Sequence, residues 1–385
     1  MKIIFLAAGK GERMMPLTQC ASKAMMPVAN KPFIQWTMEA AKEIGTMALV
    51  CRADQQDVQS FARSEGAEII IQAKPLGTLD ALKACKAHVS GDFLLINGDC
   101  MFSEGDVKKL ASCGGNAMGI FRMQSVKNFG GVESLDGALK RINEKLGEGG
   151  EGFANAGIYR FTKDVFDYLD VPLSPRGEYE LTDAINEMTK RSKIKVIEVP
   201  SWITMTYPWD LLGANQAVLD ARGSMIAAGA EIRSSSVIEE PVAIGEGAVI
   251  GPNAYIRKYS SIGNGCHIGN AVEVKGSVVM EGTKIPHLSY VGDSVVGRRC
   301  NLGAGFITAN LRLNEQSIGS WVKGNVVDTG RKKLGAIIGD DVKAGVRVSV
   351  MPGKKIWHGI AIPAGAIIKN DLEKQPNISK MGKVI

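Results

Sequence analysis

Two short stretches carry residues whose types and spacing could do chemistry. "LAAGKGERMMPLT" (6–18) sets a glycine-bearing turn directly after an apolar run. Backbone N–H groups in such a turn can cradle a phosphate. The spacing is neither G-x-G-x-x-G nor G-x-x-x-x-G-K-S/T, so an ordinary strand-to-helix turn stays open as a reading of this segment alone. "KIPHLSYVGD" (284–293) places His287, one of four histidines in 385 residues, among small and aliphatic neighbours. An imidazole titrates near neutrality and can take a proton from an attacking group. Taken alone, a single histidine is more often a hydrogen-bonded structural residue.

Composition narrows the setting. Hydrophobic residues make up 45% and charged residues 22% of the chain, the profile of a soluble globular protein long enough for two cores. The net charge of +6 is mild and no block of five or six like charges occurs, so nucleic acid is not strongly implied. A modest basic excess suits anionic substrates such as phosphates. Cys20, Cys51, Cys85, Cys100, Cys113, Cys266 and Cys300 are scattered, odd in number and form no C-x-x-C pair. That pattern argues against a disulfide framework or zinc cluster and for a reducing cytoplasm. The first apolar run stops at Ala8, too short for a signal-peptide core, and no stretch approaches membrane-spanning length.

The elements that must position these residues differ between the two halves. Residues 2–9, 47–52, 67–72 and 92–99 read as short buried strands, with helical patterns at 33–45, 57–66 and 78–88 between them. This is the rhythm of an open, mostly parallel sheet, whose ligands sit at the carboxyl ends of strands. Gly9, Gln72 and Asp99 follow such ends. The helix-like segment 209–222 closes this half.

After about residue 230 the period becomes six. Ile232, Ile238, Ile244, Ile250, Ile256, Ile262 and Ile268 fall on it, as do Ile338, Ala344, Val350, Ile356, Ile362 and Ile368. The spacing predicts a hexapeptide β-helix, with about three hexapeptides per coil. The aliphatic residues fill its prism. The pattern drifts over 270–305 and fails over 309–334, which reads as an extended loop.

Further motifs follow the first turn in order: "SKAMMPVANKP" (22–32), "QAKPLGTLDAL" (72–82), "NGD" (97–99), "NEK" (143–145), "NAGIY" (155–159) and "ELTDAI" (180–185). The series resembles the sugar-1-phosphate nucleotidylyltransferases over residues 1–222. The resemblance implies a Rossmann-like α/β domain that joins a sugar 1-phosphate to a nucleoside triphosphate, UTP or dTTP, and releases pyrophosphate. It implies Arg13 and Lys23 as catalytic cations and Asp99 as a ligand of Mg²⁺. Leu6, Ala7, Ala8 and Gly9 fall on the phosphate turn. Gln72, Gly77 and Thr78 match base-recognition positions. Gly130, Glu144, Asn155 and Thr182 match sugar contacts.

The chain departs from that pattern. Ser22 stands where the family usually has proline, and Leu146 where proline often follows "EK". In "SWITMTYPWD" (201–210) the common pattern is W-x-D-x-G-x-P, with the aspartate helping to hold Mg²⁺. Thr204 takes the aspartate's place and Thr206 the glycine's. A neutral hydroxyl binds a hard cation less strongly than a carboxylate.

The stretch 272–310, "VEVKGSVVMEGTKIPHLSYVGDSVVGRRCNLGAGFITAN", resembles the acetyltransferase domain of the bifunctional glucosamine-1-phosphate acetyltransferase / N-acetylglucosamine-1-phosphate uridylyltransferases, archaeal two-domain type. The resemblance implies a left-handed parallel β-helix and His287 as the base that deprotonates an amino sugar. Arg257, Lys275, Tyr290 and Asn301 then hold the sugar phosphate. Ala304, Asn310 and Leu311 match acetyl-CoA contacts, although the family carries an aromatic at the last. The other histidines, His88, His267 (read at a hexapeptide corner) and His358, read as structural.

The expected protein is a bifunctional enzyme. Residues 1–222 transfer UMP or dTMP, 223–370 acetylate glucosamine or galactosamine 1-phosphate, and 371–385 form a tail. Mg²⁺ and acetyl-CoA are implied, the resemblance implies a homotrimer, and no nucleic acid or membrane is expected as partner. Three alternatives stand beside it: an acetyltransferase with a weakened first domain, a nucleotidylyltransferase with a purely structural β-helix, and a non-enzymatic subunit of a translation-factor exchange complex.

Overall fold

The computed structural model describes residues 1–126, 129–144 and 150–375. The side chain of Glu144, residues Lys145 and Leu146, and the tail beyond 375 lie outside the described residues. The chain divides into two compact units.

The first unit comprises 1–10, 22–25 and 33–204. Its strands are β1 (Lys2–Leu6), β2 (Thr46–Cys51), β3 (Glu68–Ile71), β4 (Phe93–Asn97), β5 (Ala117–Met123), β6 (Gly130–Leu135), β7 (Ala138–Glu144), β8 (Gly152–Phe161) and β9 (Lys195–Glu198). They form one sheet in the order β3-β2-β1-β4-β8-β5-β9-β7-β6. The four strands read from the sequence, β1 to β4, are parallel to one another. Beyond β4 the sheet is mixed, since β8 runs antiparallel to both β4 and β5. Helices α1 (Phe33–Ala41), α2 (Gln56–Ser64), α3 (Thr78–Ala84), α4 (Glu104–Ala111) and α5 (Leu181–Met188) supply apolar faces. One core gathers Ile4, Val50, Leu82, Leu95 and Ile185, and another Ile3, Phe5, Ile34, Val58, Leu94 and Val107. Alternate residues of β1 thus enter opposite cores, as a strand of period two must when both faces are covered.

The second unit comprises 11–21, 26–32 and 205–385. Its body is a left-handed parallel β-helix whose short strands stack into three seven-stranded sheets. Ile244, Ile250, Ile256, Ile262 and Ile268 are all 1% exposed or less, so the six-residue period fills the prism as read. The first coil differs. Ile232 is 41% exposed because that coil has a neighbour on one side only.

The drift in the period has a simple cause. Ala243 pairs with Ser261 across a coil of eighteen residues. Ser261 then pairs with Val278, and Val278 with Val295, across coils of seventeen. Each short coil has lost one residue at its third corner, near 275–277 and 292–294. The interruption at 309–334 carries a hairpin, Gly319–Val322 paired with Asn325–Asp328, after which Ile337 resumes the ladder beside Val295.

Helix α6 (Asp210–Arg222) packs in this unit, whereas the sequence reading closes the first half with it. The reason is Asn215, which is fully buried. Its amide donates to the Tyr259 carbonyl at 2.8 Å and its oxygen accepts from the Ser261 hydroxyl at 2.6 Å. Among the described residues no helix is long and apolar enough to cross a membrane.

Candidate active sites

In the first unit Leu6 to Gly9, Gln72 and Asp99 lie at the carboxyl ends of parallel strands, whereas Gly130, Glu144 and Asn155 lie on antiparallel strands and Thr182 on a helix. Leu6 ends β1 opposite Val50 and Asn97, and Ala7, Ala8 and Gly9 follow it. The Ala7 N–H is held by the Val50 carbonyl at 2.8 Å. Gly98 fits because its N–H reaches the Leu6 carbonyl at 2.9 Å, and a Cβ there would fall 2.7 Å from that oxygen. Asp99 comes next, with its carboxylate 2.6 Å from the Lys23 ammonium.

Lys23 is set in place by its neighbour. Ser22 donates its N–H and its hydroxyl to the two oxygens of Asp57 at 2.6 and 2.8 Å. Its hydroxyl also accepts from Gln55 at 2.9 Å. A proline at 22 could make none of these bonds, so this chain holds the turn by hydrogen bonding instead of by a ring. Arg13 is exposed on the turn Glu12–Met14, in a segment that packs with the second unit. There Glu12 pairs with Lys323, and Gln19 accepts the His358 N–H at 3.4 Å.

Gln72 follows β3 and is 3% exposed, with its amide nitrogen 2.7 Å from Asp80 and 3.2 Å from the Gly77 carbonyl. Gly77 has φ +120°, and a Cβ would lie 2.4 Å from the Tyr179 carbonyl, so glycine is required there. The Thr78 hydroxyl accepts the Leu181 N–H at 3.0 Å, which brings the base positions next to Thr182. On the sheet Gly130 pairs with Glu144, and the adjoining Gly131 pairs with Ala154, the neighbour of Asn155. Three of the four sugar positions, Gly130, Glu144 and Asn155, are therefore contiguous. Asn155 is fixed by the Tyr159 hydroxyl at 2.7 Å.

Thr204 pairs with Cys100 in a short antiparallel bridge, one residue from Asp99. The buried Cys100 thiol stands 3.6 Å from one Asp99 oxygen and 3.9 Å from the Thr204 hydroxyl, and burial pushes its pKa up. Among the described residues no cluster of three or more His, Cys, Asp or Glu could hold a metal. Mg²⁺ at phosphoryl sites is commonly held by one or two carboxylates plus phosphate and water. Asp99 beside a hydroxyl fits that mode. Asp210 holds the turn before its helix. One of its oxygens accepts the N–H groups of Thr206 and Tyr207, both at 2.7 Å.

In the second unit the predicted residues lie on successive coils. Tyr255, Glu273, Tyr290 and Ile307 form one outward column. Arg257 follows Tyr255 and meets Glu273 at 3.2 Å and Glu239 at 3.4 Å. Lys275 lies opposite Gly292 and reaches Asp293 at 2.8 Å. His287 ends its strand opposite Asn270 and is exposed; the corner Leu288–Ser289 separates it from Tyr290. Asn301 is exposed and stacks on Lys284, in the strand that ends at His287. Ala304 and Asn310 flank the next strand. Asn310 donates to the Tyr290 hydroxyl at 3.1 Å and also to Asp293. Leu311 is 41% exposed and bridges Lys333 at the base of the insertion. Burial, and then the Asp293 charge, push the Tyr290 phenol up.

The chain matches a nucleotidyl transferase family over residues 2–224 and a GMPPB C-terminal domain family over 238–358. A "Bifunctional protein GlmU" from Methanococcus maripaludis is 42% identical over 409 residues, spanning 100% of this chain and 98% of that one. A "Bifunctional sugar-1-phosphate nucleotidylyltransferase/acetyltransferase" from Sulfurisphaera tokodaii is 38% identical, spanning 97% and 98%. The chain belongs to these bifunctional GlmU-type transferases. A Bacillus anthracis structure assigned as a glucose-1-phosphate thymidylyltransferase covers 57% of the chain and 96% of its own, at TM-score 0.52 and 27% identity.

Some features of this GlmU-type chain were not legible in advance. Asp293 joins Lys275, Asn310 and Tyr290, and the shortened coil at 292–294 was its only signal. Asp57 behind Lys23 had none. Lys355 is 2% exposed, with its ammonium over the Trp209 ring at 5.9 Å, and burial pulls its pKa down to about 8. It borders a cavity of about 400 Å³ lined also by Met15, Trp321, Trp357 and Asp371. Two of the three histidines read as structural meet carboxylates: His88 with Glu68 at 2.5 Å and His358 with Asp341 at 3.5 Å. His267 stands at the start of a strand, not at a corner.

Proposed function

We propose that the chain acetylates glucosamine 1-phosphate, or its galactosamine epimer, with acetyl-CoA. It then transfers UMP or dTMP to the acetylated sugar phosphate, giving UDP-N-acetylglucosamine or its counterpart and pyrophosphate. One observation carries the reading: the chain holds two separate polar clusters, Lys23–Asp99 at strand ends and Lys275–Asp293–Asn310–Tyr290 on the coils beside the His287 corner.

In nucleotidyl transfer a sugar phosphate oxygen attacks the α-phosphorus in line, and catalysis is mainly positioning and charge neutralisation. Lys23 and Arg13 supply cations for the triphosphate. Leu6 to Gly9 offer backbone N–H groups, and Gln72, Gly77 and Thr78 hold the base. Gly130, Glu144, Asn155 and Thr182 hold the sugar. Asp99 would hold Mg²⁺, which would supply charge neutralisation for the triphosphate.

In acetyl transfer the amine must lose a proton to attack the thioester. His287 takes it. Arg257, Lys275, Tyr290 and Asn301 bind the sugar phosphate, and Ala304, Asn310 and Leu311 bind acetyl-CoA. Residues 1–222 and 223–370 carry the two reactions, followed by a tail.

A homotrimer is supported by apolar side chains on one outward column of the β-helix. Val237, Tyr255, Ile307 and Ile367 are 56%, 37%, 45% and 58% exposed. They share that column with Glu273, Tyr290 and Ser349, and exposed apolar side chains among polar ones suit a partner surface. Seven unpaired cysteines support a reducing cytoplasm.

Pure protein is incubated separately with acetyl-CoA plus glucosamine or galactosamine 1-phosphate, and with UTP or dTTP plus the acetylated sugar phosphate. Product in both arms is expected. Absence of either product removes that half of the reading.

A further inference from the structure

We propose that Asp293 is a positioning residue of the second site, orienting Lys275, Asn310 and Tyr290 so that each keeps hydrogen-bonding capacity for the reactants. The proposal rests on the reading of that site as the acetyl-transfer centre.

Asp293 sits where the period of the β-helix breaks. The coil that ends at 294 is one residue short, and Asp293 turns its corner with φ 47°. Aspartate and asparagine tolerate that left-handed conformation better than most residues. Its backbone is used on both sides. The Asp293 N–H donates to the Lys275 carbonyl at 2.8 Å, and its carbonyl accepts the N–H of Gly335, where the chain returns from the insertion, at 2.8 Å.

The side chain is 14% exposed and accepts from Lys275 in the coil before and from Asn310 in the coil after. Hydrogen-bond capacity then decides what is left over. An asparagine amide has two N–H donors. Asn310 spends them on Asp293 and on the Tyr290 hydroxyl, so its oxygen is the group left to offer, an acceptor for an N–H. Tyr290 accepts from Asn310 and keeps its own O–H as a donor. Lys275 gives one of three donors to Asp293 and keeps two. Two donors suit a phosphate, and the acceptor suits an amine or amide N–H. Without the carboxylate nothing selects this set, since the Asn310 amide could turn over and the Lys275 ammonium could swing to solvent.

The test is Asp293→Asn, which keeps the shape and the tolerated backbone and removes the charge. KM for glucosamine 1-phosphate should rise about tenfold while kcat stays within about threefold, because groups that bind ground and transition states alike change KM alone. Nucleotidyl transfer serves as the control for folding and should not move. In a Lys275→Met background the same substitution should raise KM by clearly less than in the wild type, since coupled residues are not additive. Wild-type KM in Asp293→Asn overturns the proposal, provided His287→Ala has lost acetyl transfer. Full additivity with Lys275→Met, or a matching loss of nucleotidyl transfer, also overturns it by making the residue merely structural. If His287→Ala keeps acetyl transfer, the site reading fails first and takes the proposal with it.

Discussion

The two candidate sites are assembled in opposite ways. Lys23, Gln72, Asp99 and Asn155 come from a short turn, two strand ends and the interior of a strand, each held by its own bonds. Arg257, Lys275, Tyr290 and Asn301 come from neighbouring coils, and one register places them all. A site of the first kind can lose one ligand without disturbing the rest, because water can fill a position around Mg²⁺. On the proposed reading, Thr204 is such a loss. A site of the second kind depends on coil length, so a single corner residue such as Asp293 binds several functions together.

Metal removal should separate them most widely. A chelator should abolish nucleotidyl transfer and leave acetyl transfer at its full rate, measured side by side on one preparation. Equal sensitivity would mean that the β-helix reaction also needs a metal.

Next in size is a break in the ladder. A Cβ on Gly269 would fall 1.9 Å from the Pro286 carbonyl, one residue before His287. Gly269→Val should destabilise the β-helix by about 2–4 kcal/mol. Acetyl transfer should fall far more than nucleotidyl transfer in denaturant-free buffer. An unchanged melting curve would contradict the stacking described.

A smaller effect is expected at Thr204. Thr204→Asp adds a carboxylate near Asp99, so half-saturation by Mg²⁺ should fall several-fold, nucleotidyl transfer should rise, and acetyl transfer should stay put. Asp210→Ala should loosen the Thr206–Tyr207 turn without shifting the Mg²⁺ midpoint. A shifted midpoint in Asp210→Ala alone would assign the metal role to Asp210.

The smallest effect concerns stability. Lys355 has a pKa near 8 when folded against 10.5 in an unfolded chain. Between those values the unfolded state holds a proton that the folded state has released, so stability rises with pH across that window. Below it the buried charge is a standing cost. Lys355→Met should raise stability at pH 7 by about 1–2 kcal/mol, a gain that shrinks toward pH 10. Urea melts at both pH values check this, and a loss of stability at pH 7 would show that the ammonium is well satisfied.

The two regions also differed in how much the chain revealed. The β-helix was legible down to single residues because one aliphatic position per six fills the prism, as Ile250 and Ile268 do. Even its failures were informative, since the drift marks the shortened coils and the break marks the hairpin insertion. In the first unit the strand ends at Gly9, Gln72 and Asp99 were visible, but the supports were not. Asp57 sits on a helix with nothing in its surroundings to mark it, and it meets Ser22 only through tertiary folding. Helix α6 carries no signal that it packs on the coils, because a single buried amide, Asn215, decides that.

The central claim is that one chain runs two chemistries at independent sites. Both reactions are assayed on His287→Ala and Asp99→Ala under saturating substrates. His287→Ala should lose about 10²–10⁴-fold in acetyl transfer, the usual contribution of a general base, and keep nucleotidyl transfer. Asp99→Ala should do the reverse. Loss of both reactions in either variant, or survival of acetyl transfer in His287→Ala, would contradict the account.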